Sequence, residues 1–214
     1  MDSIRFQSVV PHVFAHADQL VSEVWAQELC LDKGKTYLIE ADSGKGKSTF
    51  CSYIIGYRRD FDGKILFDLQ DVAALSQREW VEMRRYHVSH LFQELRLFPE
   101  LTALENVMVK NSLTGFKPEQ EIRGWFELLG IEDKIDTPIG LMSFGQQQRV
   151  AMMRALAQPF DFLLADEPIS HLDETNSARM AQLMMDEAHK QGAGVIVTSI
   201  GKHMVLDYDH IYRL

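Results

Sequence analysis

Hydrophobic and polar positions along the 214-residue chain fall into two patterns that take turns. Short, nearly unbroken apolar runs at 35–40 (KTYLIE), 64–67 (KILF), 160–165 (FDFLLA), Gly194–Ser199 (GVIVTS) and 210–214 (HIYRL) have the length and β-branched content of strands. Several lack the strict alternation of a half-exposed strand, which suits a parallel sheet covered on both faces. Between them the spacing becomes helical. The stretch 47–55 ends at Gly56, and 76–85 opens on Ser76 and Glu79 at capping-box spacing. In 118–129 apolar residues recur at Ile122, Trp125, Phe126 and Leu129 before the stop at Gly130, and 145–157 and 174–189 keep the same period. Strands and helices alternate at both ends, while about 71–157 reads as mainly helical. The predicted fold is therefore α/β, with a mainly parallel sheet. A core of about 1–70 and 158–214 carries an inserted helical subdomain of about 71–157, all within one domain.

Composition narrows the function classes. A hydrophobic content of 46% supports a packed core, and a net charge of −9 disfavours electrostatic attachment to nucleic acid or anionic lipid. No apolar run approaches the ~20 residues of a spanning helix, and the start MDSIRFQSVV lacks the basic and apolar regions of a signal peptide. The expectation is a chain that is neither exported nor membrane-spanning, with no nucleic-acid partner, whose membrane contacts run through protein. Cys30 and Cys51 are too few and too far apart for a disulfide framework or a structural zinc site; both are expected reduced and buried. Met152, Met153, Met184 and Met185 read as core filler, and Trp25, Trp80 and Trp125 as core or interface aromatics.

Candidate chemistry begins where the run 35–40 gives way to a helix. Ala41, Asp42, Ser43, Gly44, Lys45, Gly46, Lys47, Ser48 and Thr49 follow the P-loop pattern, with Ala41 at its first glycine. Glycines let successive backbone N–H groups turn inward as an anion nest, and the helix start adds its positive dipole end. Lys47 would reach the outer phosphates of ATP, and the Ser48 hydroxyl would ligate Mg2+. Ala41 is costly only if its φ is positive. A second element supports the first: 162–167 (FLLADE) is an apolar strand ending in Asp166 and Glu167, so both acids emerge at the carboxyl edge of the sheet, where α/β proteins bind ligands. Asp166 is placed to hold Mg2+ and Glu167 to orient or deprotonate an attacking water.

The segment Met142, Ser143, Phe144, Gly145, Gln146, Gln147, Gln148, Arg149 precedes that strand and resembles the signature of ATP-binding-cassette ATPases. Phe92 and Gln93, with Leu97, Phe98 and Pro99 after them, resemble that family's Q-loop region, and 169–173 (ISHLD) its D-loop. The wording of 91–107, 146–157 and 163–168 is most similar to the subgroup serving lipoprotein release, macrolide export and the cell-division permease complex.

This resemblance implies a head-to-tail dimer, homotypic or with a paralogous subunit, in which ATP at one P-loop is capped by Ser143, Phe144, Gly145 and Gln146 of the other copy. It implies that Gln93 senses Mg2+ and water, that Asp173 communicates across the dimer, and that Phe14 stacks on adenine. It further implies a transmembrane permease subunit as partner, and so a peripheral place on the inner face of the membrane.

Three residues depart from the family pattern: Ala41, Phe144, and Ser199 where a switch histidine is expected. A serine is shorter than an imidazole and does not titrate near neutral pH. Slow hydrolysis is the expected consequence, with His203, four residues on, either a substitute or an exposed bystander. A degenerate cassette that binds ATP and dimerises as a regulatory subunit is the alternative reading.

Overall fold

The computed structural model describes residues 1–15, 21–42 and 44–214. Its centre is a five-stranded sheet of β3 (Thr36–Glu40), β6 (Val88–Leu91), β7 (Phe162–Asp166), β8 (Gly194–Ser199) and β9 (His210–Arg213), in the order β6-β7-β8-β3-β9 with every neighbouring pair parallel. Side chains alternate between the faces of such a sheet. Tyr37, Ile39, Phe162, Leu164 and Ile196 join a cluster with Phe50 and Ile54 of α1 (Lys47–Ile54). Leu38, Leu163, Ala165, Val195 and Val197 join the opposite cluster, with Met152 and Met153 of α5 (Phe144–Leu156) and Met180 and Met184 of α6 (Glu174–Gln191). The parallel β/α core and the buried methionines are as expected from the sequence.

A second, antiparallel sheet of β1 (Ser3–Pro11), β2 (Glu28–Asp32), β4 (Phe61–Phe67) and β5 (Gln70–Asp71) covers the first face, with Ile4, Phe6, Leu31 and Ile65 pointing inward. Sequence reading captured only the end of β4. β1 and β2 alternate buried and exposed positions, the period-2 signature of a half-covered strand, which a search for continuous apolar runs passes over.

The boundary of the helical insertion also needs correction. β6 lies within 71–157 yet is the edge strand of the main sheet, and Trp80 of α2 (Gln77–Glu82) packs against Phe67 of β4 with ring centroids 5.7 Å apart. What departs from the core is the stretch after Leu91, including α3 (Ala103–Asn111) and α4 (Glu119–Leu128), and even α5 returns to the sheet, where the Ser89 hydroxyl donates to the Ala155 carbonyl at 2.6 Å. Ser and His within VSHL broke the apolar run and hid β6. Cys51 is buried as expected, but Cys30 is exposed, because it sits on the outward phase of β2.

Candidate nucleotide site

β3, β8 and β7 are neighbours, so the segments that leave their carboxyl ends meet. Gly44 and Gly46 take φ of 81° and 103°, which lets the chain fold over the start of α1. Gly46 is the N-cap of α1, and a Cβ there would lie 3.0 Å from the Phe14 ring and 3.2 Å from the Trp25 indole nitrogen, so only glycine fits. No side chain caps this helix start, which leaves its first N–H groups available. Ala41 is not among the positive-φ residues; its methyl group is unstrained, and the missing glycine costs the loop nothing at that point. Ser43 lies outside the described residues.

A cleft of about 300 Å³ opens beside this turn, lined by Phe14, Gly44, Gly46, Lys47, Ser48, Thr49, Gln93 and Glu167. The fold thus brings together one aromatic, the phosphate-type turn and the acid that follows β7. Lys47 is only 7% exposed, with Nζ 3.1 Å from the Ala41 carbonyl, 3.4 Å from that of Asp42 and 3.9 Å from Glu167 Oε1. Burial lowers its pKa, opposed by the charges of Glu167 and Asp166. Desolvation raises the pKa of both Asp166 and Glu167. Poor solvation of three ionisable groups in one place is a feature common at functional sites.

Glu167 is held unusually. Its φ is 48°, a conformation that costs a non-glycine residue about 1–3 kcal/mol. Its N–H donates to the Thr198 carbonyl at 3.1 Å, and Gln148 of α5 donates to the carbonyls of Glu167 (3.3 Å) and Pro168 (2.6 Å), pinning the turn from both sides. The carboxylate nevertheless has a buried oxygen, Oε1, with no hydrogen-bond partner. Asp166, 5% exposed, accepts from the Thr198 hydroxyl. Asp166, the Ser48 hydroxyl and the Gln93 amide oxygen are hard oxygen donors of the kind Mg2+ takes.

Other expected residues stand elsewhere. Ala41 and Asp42 border a separate hollow with Gly201 and Arg213, and Lys45 offers its carbonyl to Trp25 at 3.4 Å; none of the three lines the cleft. Ser199 is a correction: it is 2% exposed, donates to the Lys202 carbonyl at 2.5 Å and does not line the cleft, where Ile200 does instead. The turn after β8 satisfies itself with the serine hydroxyl and carries that side chain away. His203 lies 3.7 Å from Glu40 and lines another hollow, so it is not a substitute in this conformation.

Ser143, Phe144, Gly145 and Gln146 form the start of α5, with a capping box between Ser143 and Gln146, and none of them lines the cleft. The Phe144 ring meets His171 edge-on at 4.3 Å, and a Cβ on Gly145 would come within 3.2 Å of Leu172, so 143–146 and 171–173 share one surface. Asp173 caps α6 by accepting from the Asn176 N–H at 2.8 Å. Arg58, Val13 and Ile200 also line the cleft, and no sequence motif contains them. Arg58 donates to Thr49 Oγ1 at 3.0 Å and pairs with Asp60; its place in the run Arg58, Arg59, Asp60 gave no spacing signal.

Residues 26–170 match the model of the ABC transporter family. The chain is 36% identical over 203 residues to an uncharacterized ABC transporter ATP-binding protein, YclH of Bacillus subtilis (93% of this chain, 87% of the relative). It is 32% identical over 190 residues to the lipoprotein-releasing system ATP-binding protein LolD of Zymomonas mobilis (87% and 82%). The fold superposes with a TM-score of 0.75 on the dimeric structure of a post-hydrolysis state of the ATP-binding cassette MJ0796 bound to ADP and Pi, at 28% identity (92% and 87% of the chains). Phosphate-type turn, paired acids and these likenesses agree: the chain belongs to the ABC transporter family and is one of its ATPase cassettes.

Proposed function

We propose that this cassette closes head to tail on Mg-ATP with a second copy or a paralogous chain, and that closure drives a transmembrane permease subunit. The observation that carries this reading is the split site. The cleft holds Lys47, Ser48 and Glu167 but no residue of 143–146, while Leu141 and Phe144 beside that helix start are 79% and 43% exposed, an apolar edge awaiting a partner. In the closed pair Ser143 and the N–H groups of Phe144 and Gly145 would donate to the γ-phosphate, with Gln146 holding the turn and Asp173 facing the other copy. Phe14 would stack on adenine. The backbone of 41–46 and Thr49 would surround the phosphates. Ser48, Asp166 and Gln93 would hold Mg2+, which neutralises charge developing on the phosphates. Glu167 would accept a proton from the attacking water.

Next to Gln93 lies a wedge that suits the permease. Tyr57, Phe92, Arg96, Phe98, Lys110 and Arg154 line a hollow of about 210 Å³. Phe98 is 48% exposed, and the Arg96 guanidinium sits 4.1 Å above the Phe92 ring. Burial and the charges of Arg154 and Arg84 bring Lys110 down to about 8. Aromatic and cationic together, the hollow fits an apolar segment bearing an acid. Leu95 and Arg96 have φ of 57° and 50°, and Arg154 donates to both carbonyls, so this turn is tied to α5 as well as to Gln93. Photocrosslinkers at Phe98 and Val109 should capture a membrane protein in cells, whereas one at exposed Leu69 should not. Capture from Leu69 alone would place the permease elsewhere. A contact of this kind would hold the chain peripherally at the inner face of the membrane. Among the described residues no helix is long and apolar enough to cross one.

Turnover of the isolated chain should be slow, because no imidazole occupies position 199. Ser199→His is expected to raise steady-state phosphate release about tenfold or more, within the ~10²–10³ that one preorganised donor supplies. Ser199 itself is 2% exposed, so to act the larger ring would have to turn out toward the cleft that the neighbouring Ile200 lines. Fast wild-type release that the substitution leaves unchanged would show that a histidine there does not limit turnover.

A further inference from the structure

His90 is the least explained polar residue of the core sheet. It pairs with Leu164 in the register of β6 and β7, two residues before Asp166, so His90 and Asp166 project from the same face. That is the face α1 covers, and Cys51 of α1 lies there, fully buried. Both ring nitrogens of His90 are shut off from solvent and have no hydrogen-bond partner. Burying polar atoms without partners is costly, and neither the phosphate turn nor the paired acids use them.

Donor atoms of Cys51, His90 and Asp166 lie within 4.8 Å of one another, the only such grouping of three among the described residues. They are close without being bonded to each other, which is the geometry of ligands around a gap. Tetrahedral Zn2+ with bonds of about 2.0–2.3 Å would need them only about an ångström closer. The Thr198 hydroxyl already holds Asp166 Oδ1 and orients that carboxylate.

We propose that Cys51, His90 and Asp166 form a binding site for Zn2+ or a similar borderline-soft divalent ion, directly beneath the nucleotide cleft. One thiolate, one imidazole and one carboxylate are a donor set that Mg2+ does not choose and Zn2+ does. Coordination displaces the thiol proton to solvent, and a water completes four ligands. Sharing Asp166 with the proposed Mg2+ position makes the ion an inhibitor: with Zn2+ in place, the carboxylate is drawn away from Mg-ATP.

Titration of the nucleotide-free chain with Co2+ as a spectroscopic stand-in tests the site independently of hydrolysis. One equivalent should bind with a thiolate-to-cobalt charge-transfer band that one equivalent of Zn2+ abolishes. Cys51→Ala should lose the band, His90→Phe should weaken binding at least about 10–100-fold, and Cys30→Ala should change neither. Circular dichroism of each variant confirms folding, and the Cys30 control retains all three ligands. In wild type, Zn2+ should inhibit ATP hydrolysis in excess Mg2+, and the Cys51→Ala variant should resist. A band that follows Cys30 instead, or Co2+ binding unchanged in Cys51→Ala and His90→Phe, overturns the proposal. Neither outcome bears on whether the cassette binds ATP.

Discussion

Lys47→Ala is expected to weaken Mg-ATP binding about 10- to 150-fold, the equivalent of the ~1.5–3 kcal/mol that a hydrogen bond to a charged group contributes. The ammonium donates to the Ala41 and Asp42 carbonyls and lies 3.9 Å from Glu167, a poorly solvated position that a phosphate would improve. Removing it leaves Gly44, Gly46 and the uncapped start of α1 to bind phosphate by backbone alone. The turn should survive, because the Trp25 indole donates to the Lys45 carbonyl at 3.4 Å whether or not the lysine side chain is there. Isothermal titration with Mg-ATP checks the loss, and thermal melting checks the fold. An unchanged affinity would remove this turn from the nucleotide site.

Glu167→Gln is expected to reduce turnover about 10²- to 10⁴-fold, the range associated with a positioned general base, while leaving Mg-ATP affinity within a fewfold of wild type. Three features make the loss specific. The backbone at Glu167 is pinned by Thr198 and Gln148, Oε1 is buried with no partner, and burial raises the carboxyl's pKa, which strengthens it as a base. An amide keeps the shape and the pinned turn but cannot accept the proton. Phosphate release under saturating Mg-ATP is the readout. A variant as fast as wild type would assign the base elsewhere.

Much of this site was legible in the chain because its chemistry is local. Gly44 to Thr49 is contiguous, and the strand-then-acids pattern at 162–167 identifies both the element and the edge from which its carboxylates emerge. The parallel strands β3, β7 and β8 announced themselves as buried apolar runs. Other parts depend on partners distant in sequence. β1 and β2 are recognisable as strands only if their alternation is weighed against the sheet they cover, and Ser89 and His90 interrupt the apolar run of β6. Arg58 reaches the cleft through Thr49 and Asp60, a relation that no spacing rule contains. Ser199 shows the opposite failure. Its position in the sequence pointed to the cleft, but a hydrogen bond to Lys202, three residues on, turned its side chain inward.

The central claim is that each nucleotide is shared between the cleft of one chain and the 143–146 helix start of another. Sedimentation velocity of the Glu167→Gln variant, with and without Mg-ATP, tests it most directly. The account predicts a monomer without nucleotide and a dimer with it, and the dimer should be lost when Ser143→Arg is added to block the helix start. A Glu167→Gln chain that binds Mg-ATP yet stays monomeric, alone and when mixed with a paralogous cassette, would contradict the account.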